Sequence, residues 1–453
     1  MPRISSLTGQ QLSGIGLRRG LYDAVSLSLQ IPNRFLDRND TVASSDYFGY
    51  AADISGNYAI IGCRGSYGNF CVIWDIVNGT EEHYLTNPST IPAAPSGATA
   101  DDNFGSAVSI HGAYAAVGAA YEDPASGTDY DTGAVYLYSV ASGNVVRTFT
   151  NPNAVGTGIG DRFGTSVCLY ENPSNSTLYL AVGAIEKDAT NHYFNSGVVY
   201  VFNASTGSLL HTIYNPNSYG TSQSDYFGFG GQPSIDMCGD YMIAGARWED
   251  KDNSGTEVSF AGAAYIFSLS TGNLVYSLTN TDSLDSGAGD QLGTSVAINE
   301  DYAAVGSPGE EDGGSYSGKV TIYRLSDGAK INTIFNPDAY GTPAGDYFGH
   351  SCSLSGRYLV VGAYREESVQ AYPGDGHVYV FDVETGDQLV FSGDSATSSV
   401  NNPNPGGADY FGQWVAIDGR NIIVGAERYD GQNTEGTNIF QAGAAYVFKL
   451  VRR

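Results

Sequence analysis

The chain has 453 residues, 59 of them Gly, and a formal net charge of −27. This glycine content excludes a helical bundle or a coiled coil, because each Gly inside a helix costs about 1 kcal/mol. The acidic composition argues against nucleic acid as a partner, because proteins that bind nucleic acid carry basic patches. No apolar run approaches the roughly 18 residues of a membrane-spanning helix, so we expect no membrane insertion.

Residues 1–22 differ in charge from the rest of the chain. They include Arg3, Arg18 and Arg19 and no acidic residue. They lack the continuous apolar segment of a Sec signal peptide, and spaced apolar residues such as Leu7 and Leu12 are too few for a membrane anchor. We interpret residues 1–22 as an arm that docks the protein onto a larger particle; an uninvolved tail is the alternative.

A tetrad, Asp-x-Phe-Gly, recurs along the chain with Leu replacing Phe in one copy. Six intervals between Phe48 and Phe411 cover 363 residues, a period of about 60. The Asp residues are Asp46, Asp102, Asp161, Asp225, Asp290, Asp346 and Asp409, and the Phe residues are Phe48, Phe104, Phe163, Phe227, Phe348 and Phe411. Seven similar units of this length indicate a repeat architecture.

Each unit contains four short runs rich in Val, Ile, Tyr and Phe, separated by Gly, Asn, Asp and Ser. Such runs are typical of β-strands. Four strands in each of seven units predict an all-β fold, a seven-bladed β-propeller with four-stranded antiparallel blades. The blades are expected to start near residues 46, 102, 161, 225, 290, 346 and 409.

The last unit ends after its third run, at residues 444–448. Residues 23–31 resemble the missing fourth run, including the Pro-Asn that follows it. We therefore expect this N-terminal strand to complete blade seven and close the ring. A single propeller would then occupy residues 23–450, followed by a short basic C-terminus at 451–453.

The Phe-Gly of each tetrad and the later Gly-Ala, as in Gly118-Ala119, resemble the FG-GAP repeats of integrin-α-like propellers. The resemblance implies a binding propeller. It does not transfer the calcium loops of that family, because the turn between the first two strands has about three residues here, and Ca²⁺ needs 6–8 oxygen ligands.

One acidic loop resembles the start of a calcium-binding loop. Asp250, Asp252, Ser254 and Glu257 place oxygen atoms at suitable spacing, but the match to an EF-hand loop is partial. A solvated acidic loop is the favoured interpretation, and bound calcium is the alternative. We expect no other cofactor.

We expect the tetrads to have structural roles. The Asp can accept backbone N–H bonds and fix a turn. The Phe is expected to pack between blades, and the Gly to allow close backbone approach.

Acidic and aromatic residues follow the second strand of most units, in long loops that emerge on one face of a propeller. They predict an acidic, aromatic crown suited to protein or glycan recognition; a solvated rim is the alternative. The crown residues are Tyr121, Glu122, Asp123, Glu186, Asp188, Trp248, Glu249, Glu310, Glu311, Tyr364, Glu366, Glu427 and Tyr429.

Five cysteines are too few for a disulfide framework. Cys63 and Cys71 flank one predicted hairpin and are candidates for a disulfide, although free thiols are the favoured interpretation.

The sequence offers no nucleophile elbow, phosphate-binding loop or zinc-binding motif. The leading hypothesis is therefore a non-enzymatic component of a larger assembly, such as a phage virion tail or capsid appendage, with protein partners that include copies of itself. The second hypothesis is a surface adhesion propeller that binds a host-surface or glycan ligand. An enzyme on a propeller scaffold is the third. The cellular location is not predicted beyond a virion-associated or surface-exposed site.

Overall fold

The computed structural model describes residues 24–33, 46–65, 69–89, 102–123, 131–152, 160–186, 195–216, 224–229, 233–250, 258–279, 289–311, 314–337, 345–367, 374–391, 400–403, 408–432, 438–439 and 441–451. Several predicted residues lie outside these ranges, namely Arg3, Leu7, Leu12, Arg18, Arg19, Asp188, Asp252, Ser254 and Glu257.

The predicted seven-bladed propeller is confirmed, and its blades are antiparallel sheets. Blade one contains Phe48–Ser55, Tyr58–Cys63, Phe70–Asp75 and Thr80–Thr86. Blade two contains Phe104–His111, Tyr114–Ala119, Ala134–Ser139 and Val145–Thr150. Blade three contains Phe163–Asn172, Thr177–Ala184, Val198–Asn203 and Ser208–Tyr214. Blade four contains Ile235–Cys238, Tyr241–Ala246, Ala263–Ser268 and Leu274–Thr279. Blade five contains Ser295–Ile298, Tyr302–Ser307, Lys319–Arg324 and Lys330–Phe335. Blade six contains Ser351–Ser355, Tyr358–Ala363, His377–Asp382 and Val400–Asn401.

Blade seven contains Phe411–Asp418, Asn421–Ala426 and Ala444–Val451. Ala24–Pro32 pairs antiparallel with Ala444–Val451, so the N-terminal strand occupies the outer position of this sheet. Val390–Phe391 adds a short parallel strand outside it. A two-stranded hairpin, Gly431–Gln432 with Asn438–Ile439, follows the second strand.

Two glycines meet at each junction between blades. The Gly near the end of each second strand faces the carbonyl oxygen of the tetrad Gly in the next blade. A Cβ atom on Gly118, for example, would overlap the Gly164 oxygen. The pairs are Gly62–Gly105, Gly118–Gly164, Gly183–Gly228, Gly245–Gly293, Gly306–Gly349, Gly362–Gly412 and Gly425–Gly49. Neighbouring blades therefore pack backbone against backbone, and the last pair joins blade seven to blade one.

The tetrad Asp also connects neighbouring blades, a role beyond the local turn that we predicted. Asn87, which follows the outer strand of blade one, donates from Nδ2 to Asp102 Oδ2 of blade two at 2.7 Å. The equivalent pairs are Asn33–Asp46 (3.4 Å), Asn151–Asp161 (2.7 Å), Asn215–Asp225 (2.9 Å), Asn336–Asp346 (2.8 Å) and Asn402–Asp409 (2.7 Å).

The tetrad Phe rings are buried in core clusters that combine residues of two blades. Phe163 packs with Val135 and Leu137 of blade two as well as with its own blade. Its ring centroid lies 5.8 Å from that of Tyr200 and 6.1 Å from that of Phe202. The Phe163 N–H meanwhile donates to the Thr132 carbonyl of the preceding blade.

The innermost strands enclose a narrow central cavity of about 80 Å³. Asp53 of blade one accepts hydrogen bonds from the Ile110 N–H at 2.8 Å and the Ser109 hydroxyl at 3.0 Å, both in blade two. Asp236 of blade four accepts a bond from the Ile298 N–H of blade five at 2.8 Å. Burial raises the pKa of Asp53 to about 6 and that of Asp236 to about 7.

We predict that Gly118→Ala lowers the free energy of unfolding by about 3 kcal/mol, as overpacking does in a close-packed interior. The control is Gly112→Ala, at a turn glycine with φ of 57° where an added Cβ would have no atom within 4 Å. Its expected cost is about 1 kcal/mol, from the left-handed backbone alone. Urea unfolding of both variants measures the difference, and equal losses would contradict the glycine contact.

We predict that the cost of Asp236→Asn depends on pH. Because the folded state raises the pKa of Asp236 to about 7, the folded protein retains the proton more strongly than the unfolded chain. The stabilisation is complete below the ordinary carboxyl pKa of about 4 and is lost as the pH rises to about 7. Asp236→Asn should therefore cost more at pH 5 than at pH 8, by at least about 1.4 kcal/mol, the equivalent of one pKa unit.

The matched control is Ser353→Ala, at the corresponding position of blade six, where the hydroxyl accepts the Ile417 N–H at 3.1 Å. This hydroxyl does not titrate in the range, so its cost should be equal at both pH values. Asp53 and Cys168 face the same cavity and stay in both variants. A pH-independent cost of Asp236→Asn in urea unfolding would contradict the assignment.

Candidate functional site

The tetrads and the loops after the second strands lie at the same end of the ring, because each second-strand Gly contacts the next tetrad. The residue between Asp and Phe has a positive φ in every blade, between 51° and 58°. These residues are Tyr47, Asn103, Arg162, Tyr226, Gln291, Tyr347 and Tyr410. Backbone strain of this kind is often found at functional sites.

The prediction of an exposed acidic crown is wrong for five of its glutamates, each at most 6% exposed. They are Glu122, Glu249, Glu310, Glu366 and Glu427. Two of them, Glu122 and Glu249, join the polar contacts between blades. Asn87 Nδ2 bridges Asp102 and Glu122, donating to Glu122 Oε2 at 2.8 Å.

Three of the other buried glutamates, all except Glu427, have tyrosine or lysine partners. The Tyr265 hydroxyl donates to Glu249 at 3.1 Å, and the Tyr379 hydroxyl donates to Glu366. Blade five has Thr321 where those blades have Tyr, and there the buried Lys319 ammonium pairs with Glu310. These carboxylates are thus internal structural groups, because each has its own buried donor.

The other predicted crown residues are divided between the surface and the end of the axis. Glu311 is exposed, and Asp123 is half-buried, where its Oδ1 accepts the Asp131 N–H at 3.0 Å. Tyr429 is half-buried, and burial raises the pKa of its hydroxyl. Asp250 accepts the Phe260 N–H at 2.9 Å. Tyr121, Glu186, Trp248 and Tyr364 belong to the cluster described next.

Five arginines, which the sequence analysis missed as a group, meet aromatic rings at this end of the axis. We call this group the axial mouth: Arg64, Arg162, Arg247, Arg365 and Arg428 with the rings that they contact. Arg247 lies 4.0 Å from the Phe229 centroid and 5.1 Å from that of Trp248. The other contacts are Arg64–Tyr50 (5.2 Å), Arg162–Tyr121 (4.7 Å), Arg365–Tyr347 (5.0 Å), Arg365–Tyr364 (5.4 Å), Arg365–Tyr410 (5.7 Å) and Arg428–Tyr410 (4.3 Å).

A cavity of about 190 Å³ opens between Arg64 and Arg162. Its walls combine aromatic faces with hydroxyl and amide groups: Tyr50, Asn103, Ser106, Ala120, Tyr121, Thr165, Ile185 and Phe229. Arg64 donates from NH1 to the Tyr50 hydroxyl at 3.0 Å and from Nε to Asn103 Oδ1 at 3.2 Å. Arg162 pairs through NH1 with Glu186 Oε1 at 2.6 Å.

The charges of the axial mouth act on one another. Burial lowers the pKa of Arg247 to about 10. Burial, together with the nearby charges of Arg247 and Arg365, lowers the pKa of His350 to about 3, so this imidazole is neutral. Burial raises the pKa of Glu427 to about 7, although Arg428 and Arg64 oppose the shift. The arginines outnumber the described carboxylates that interact with them, Asp131, Glu186 and Glu427, so the site favours an anion.

A sequence signal for the axial mouth exists. Arg64 and Arg247 stand two residues after a second-strand Gly, and Arg365 and Arg428 stand three residues after one. Arg162 instead occupies the middle of a tetrad. The pattern is incomplete across the blades, and the more frequent acidic residues of the same loops obscure it.

All five cysteines are free thiols, so Cys63 and Cys71 form no disulfide. In the described part of the chain, no three His, Cys, Asp or Glu side chains are grouped to hold a metal ion. Calcium at Asp250 stays a prediction, because its other proposed ligands lie outside that part. The described residues include no helix long and apolar enough to cross a membrane.

Comparison with known proteins identifies the repeat. The FG-GAP repeat model matches residues 93–138, 282–323, 339–381 and 403–448. These segments reach the third strands of blades two, five, six and seven. No curated protein matched the chain. The chain therefore resembles FG-GAP repeats at four places, within a propeller of seven blades.

Proposed function

We propose that the protein is a non-enzymatic interaction propeller, a component of a larger assembly, and that its outer strands in blades two to four dock a protein partner. An apolar pair at the same two positions of these strands supports the proposal. The exposed fractions are 40% and 50% for Val145 and Val146, 42% and 40% for Leu209 and Leu210, and 44% and 37% for Leu274 and Val275. We call these six side chains the apolar rim.

The apolar rim lies on three successive blades, and side chains of two of its strands reach the next blade. Arg147 donates from Nη2 to the Ser205 carbonyl of blade three at 2.9 Å. His211 donates from Nε2 to the Leu269 carbonyl of blade four at 2.8 Å. Exposed apolar surface often marks protein-interaction sites.

The neighbouring blades do not share this surface. The equivalent positions are Glu81 and Glu82 in blade one and Lys330 and Ile331 in blade five. Charged residues on an outer strand discourage pairing with another chain. Blades two to four carry no charged residue at these two positions, which suits a partner that adds a strand or packs an apolar face there.

The finer form of the proposal is a phage virion component, a tail or capsid appendage docked by residues 1–22. Their net positive charge complements the acidic remainder of the chain. Ala24, which follows residues 1–22 closely in the sequence, begins the strand that pairs with Ala444–Val451 in blade seven.

We expect the full chain to self-associate and to exceed 47.8 kDa, the mass of one chain, in light scattering on a sizing column. Deletion of residues 1–20, or the triple variant Val146→Ser, Leu210→Ser and Val275→Ser, should reduce the native mass. Val77→Ser, at an exposed apolar residue of blade one, is the matched control and should leave the mass unchanged. An unchanged assembly in the triple variant would contradict docking at the apolar rim.

A second candidate function is surface adhesion or glycan binding. The axial mouth favours it, because Tyr, Trp and Arg side chains at a concave site are typical of binding hot spots. This candidate uses the opposite part of each blade from the apolar rim, so the two are separable by mutation.

A further inference from the structure

We propose that the cavity between Arg64 and Arg162 binds a carboxylate carried on a short aliphatic or sugar framework. The inference deepens the second candidate function and is independent of docking at the apolar rim.

Charge is the first argument. Only 21 of 453 residues are Lys or Arg, yet five arginines meet at the axial mouth. Electrostatic repulsion between them is unfavourable for folding, and the described carboxylates that face them, Asp131, Glu186 and Glu427, compensate only in part. An acidic ligand supplies further negative charge at this site.

The donors are the second argument. Nε of Arg162 and Nε of Arg247 are buried and make no hydrogen bond within the described part of the chain. Arg247 likewise has no ion-pair partner there, although its guanidinium is held by Phe229 and Trp248. Buried polar groups ordinarily have partners, so the unused donor of Arg162, which lines the cavity, indicates a ligand there.

Geometry is the third argument. Arg64 is held by the Tyr50 hydroxyl and Asn103, and Arg162 is held by the Tyr121 ring and Glu186. Guanidinium groups fixed in this way lose little freedom when they bind a planar carboxylate. The Arg162–Glu186 pair shows the same chemistry within the chain.

The size and lining of the cavity favour an aliphatic or sugar framework for the ligand. A volume of about 190 Å³ exceeds that of a single ion. Tyr50, Tyr121 and Phe229 supply faces for methylene or sugar C–H groups, and Ser106 and Thr165 supply hydroxyls. Both an acidic side chain of a polypeptide and a uronic acid satisfy these requirements.

The test is calorimetric titration of the full chain with N-acetyl-aspartate and with glucuronate. N-acetyl-asparagine and glucose are the neutral counterparts, and inorganic phosphate is the competing anion. We expect at least one carboxylate to bind, its neutral counterpart to fail, and salt to weaken the binding. Binding of N-acetyl-aspartate alone would assign a polypeptide source, and binding of glucuronate alone a sugar source.

Arg64→Gln should weaken binding about tenfold or more, since a charge-assisted contact is lost. Ala120→Leu keeps both arginines but fills the cavity, and should weaken binding to a similar extent. Arg324→Gln is the matched control, because Arg324 is exposed in blade five and pairs with Asp327; it should bind as the unmodified chain does. Thermal unfolding establishes that each variant is folded.

Three results would overturn the proposal: neither carboxylate binds, phosphate binds more tightly than both, or Arg64→Gln and Ala120→Leu, both folded, retain full affinity. The triple variant of the apolar rim should bind the carboxylate with unchanged affinity. The native-mass measurement therefore tests docking at the apolar rim, and the titration separately tests ligand binding at the axial mouth.

Discussion

The meeting of two glycine backbones at each blade junction is the contact on which the rest of the structure depends. One glycine lies near the end of a second strand, and its partner in the next tetrad presents a carbonyl where any side chain would collide. Because seven such contacts close a circle, a small change in spacing at one junction must be absorbed by all the others. The Asn–Asp bonds and the shared Phe clusters reinforce the same junctions from the outer side. The recurring sequence pattern thus records a packing requirement between blades.

The same contacts position the axial mouth. Arg64 and Arg247 follow a junction glycine by two residues, and Arg365 and Arg428 by three. The backbone of each arginine is therefore anchored close to a tightly packed junction. Two of their aromatic partners, Tyr347 and Tyr410, occupy tetrad positions with positive φ. A rigid ring therefore fixes the guanidinium groups before any ligand arrives, which lowers the entropic cost of binding. The outer strands have no such contact with the axis, and their side chains are free to differ among blades.

The sequence predicted the fold because the period, the strand runs and the tetrad all repeat. It predicted the site less well, since contacts between blades join residues that no local pattern connects. Glu122 resembled a surface residue because it belongs to an acidic loop, but Asn87 of the preceding blade holds it inside. Lys319 could not be predicted as a buried residue for a similar reason. It pairs with Glu310 because Thr321 stands where other blades have the tyrosine that bonds the glutamate. No local sequence pattern distinguishes the arginines, and they form a site only because the ring brings residues of different blades together.

The most direct test of this account is hydrogen–deuterium exchange of the full chain, resolved to peptides that cover the seven pairs of junction glycines. A closed ring predicts slow and similar exchange at all seven junctions, including Gly425 with Gly49, because opening any one must disturb its neighbours. Fast exchange confined to the junction of blades seven and one would contradict the account. It would mean that the ring is open in solution and cannot hold the arginines of the axial mouth in place.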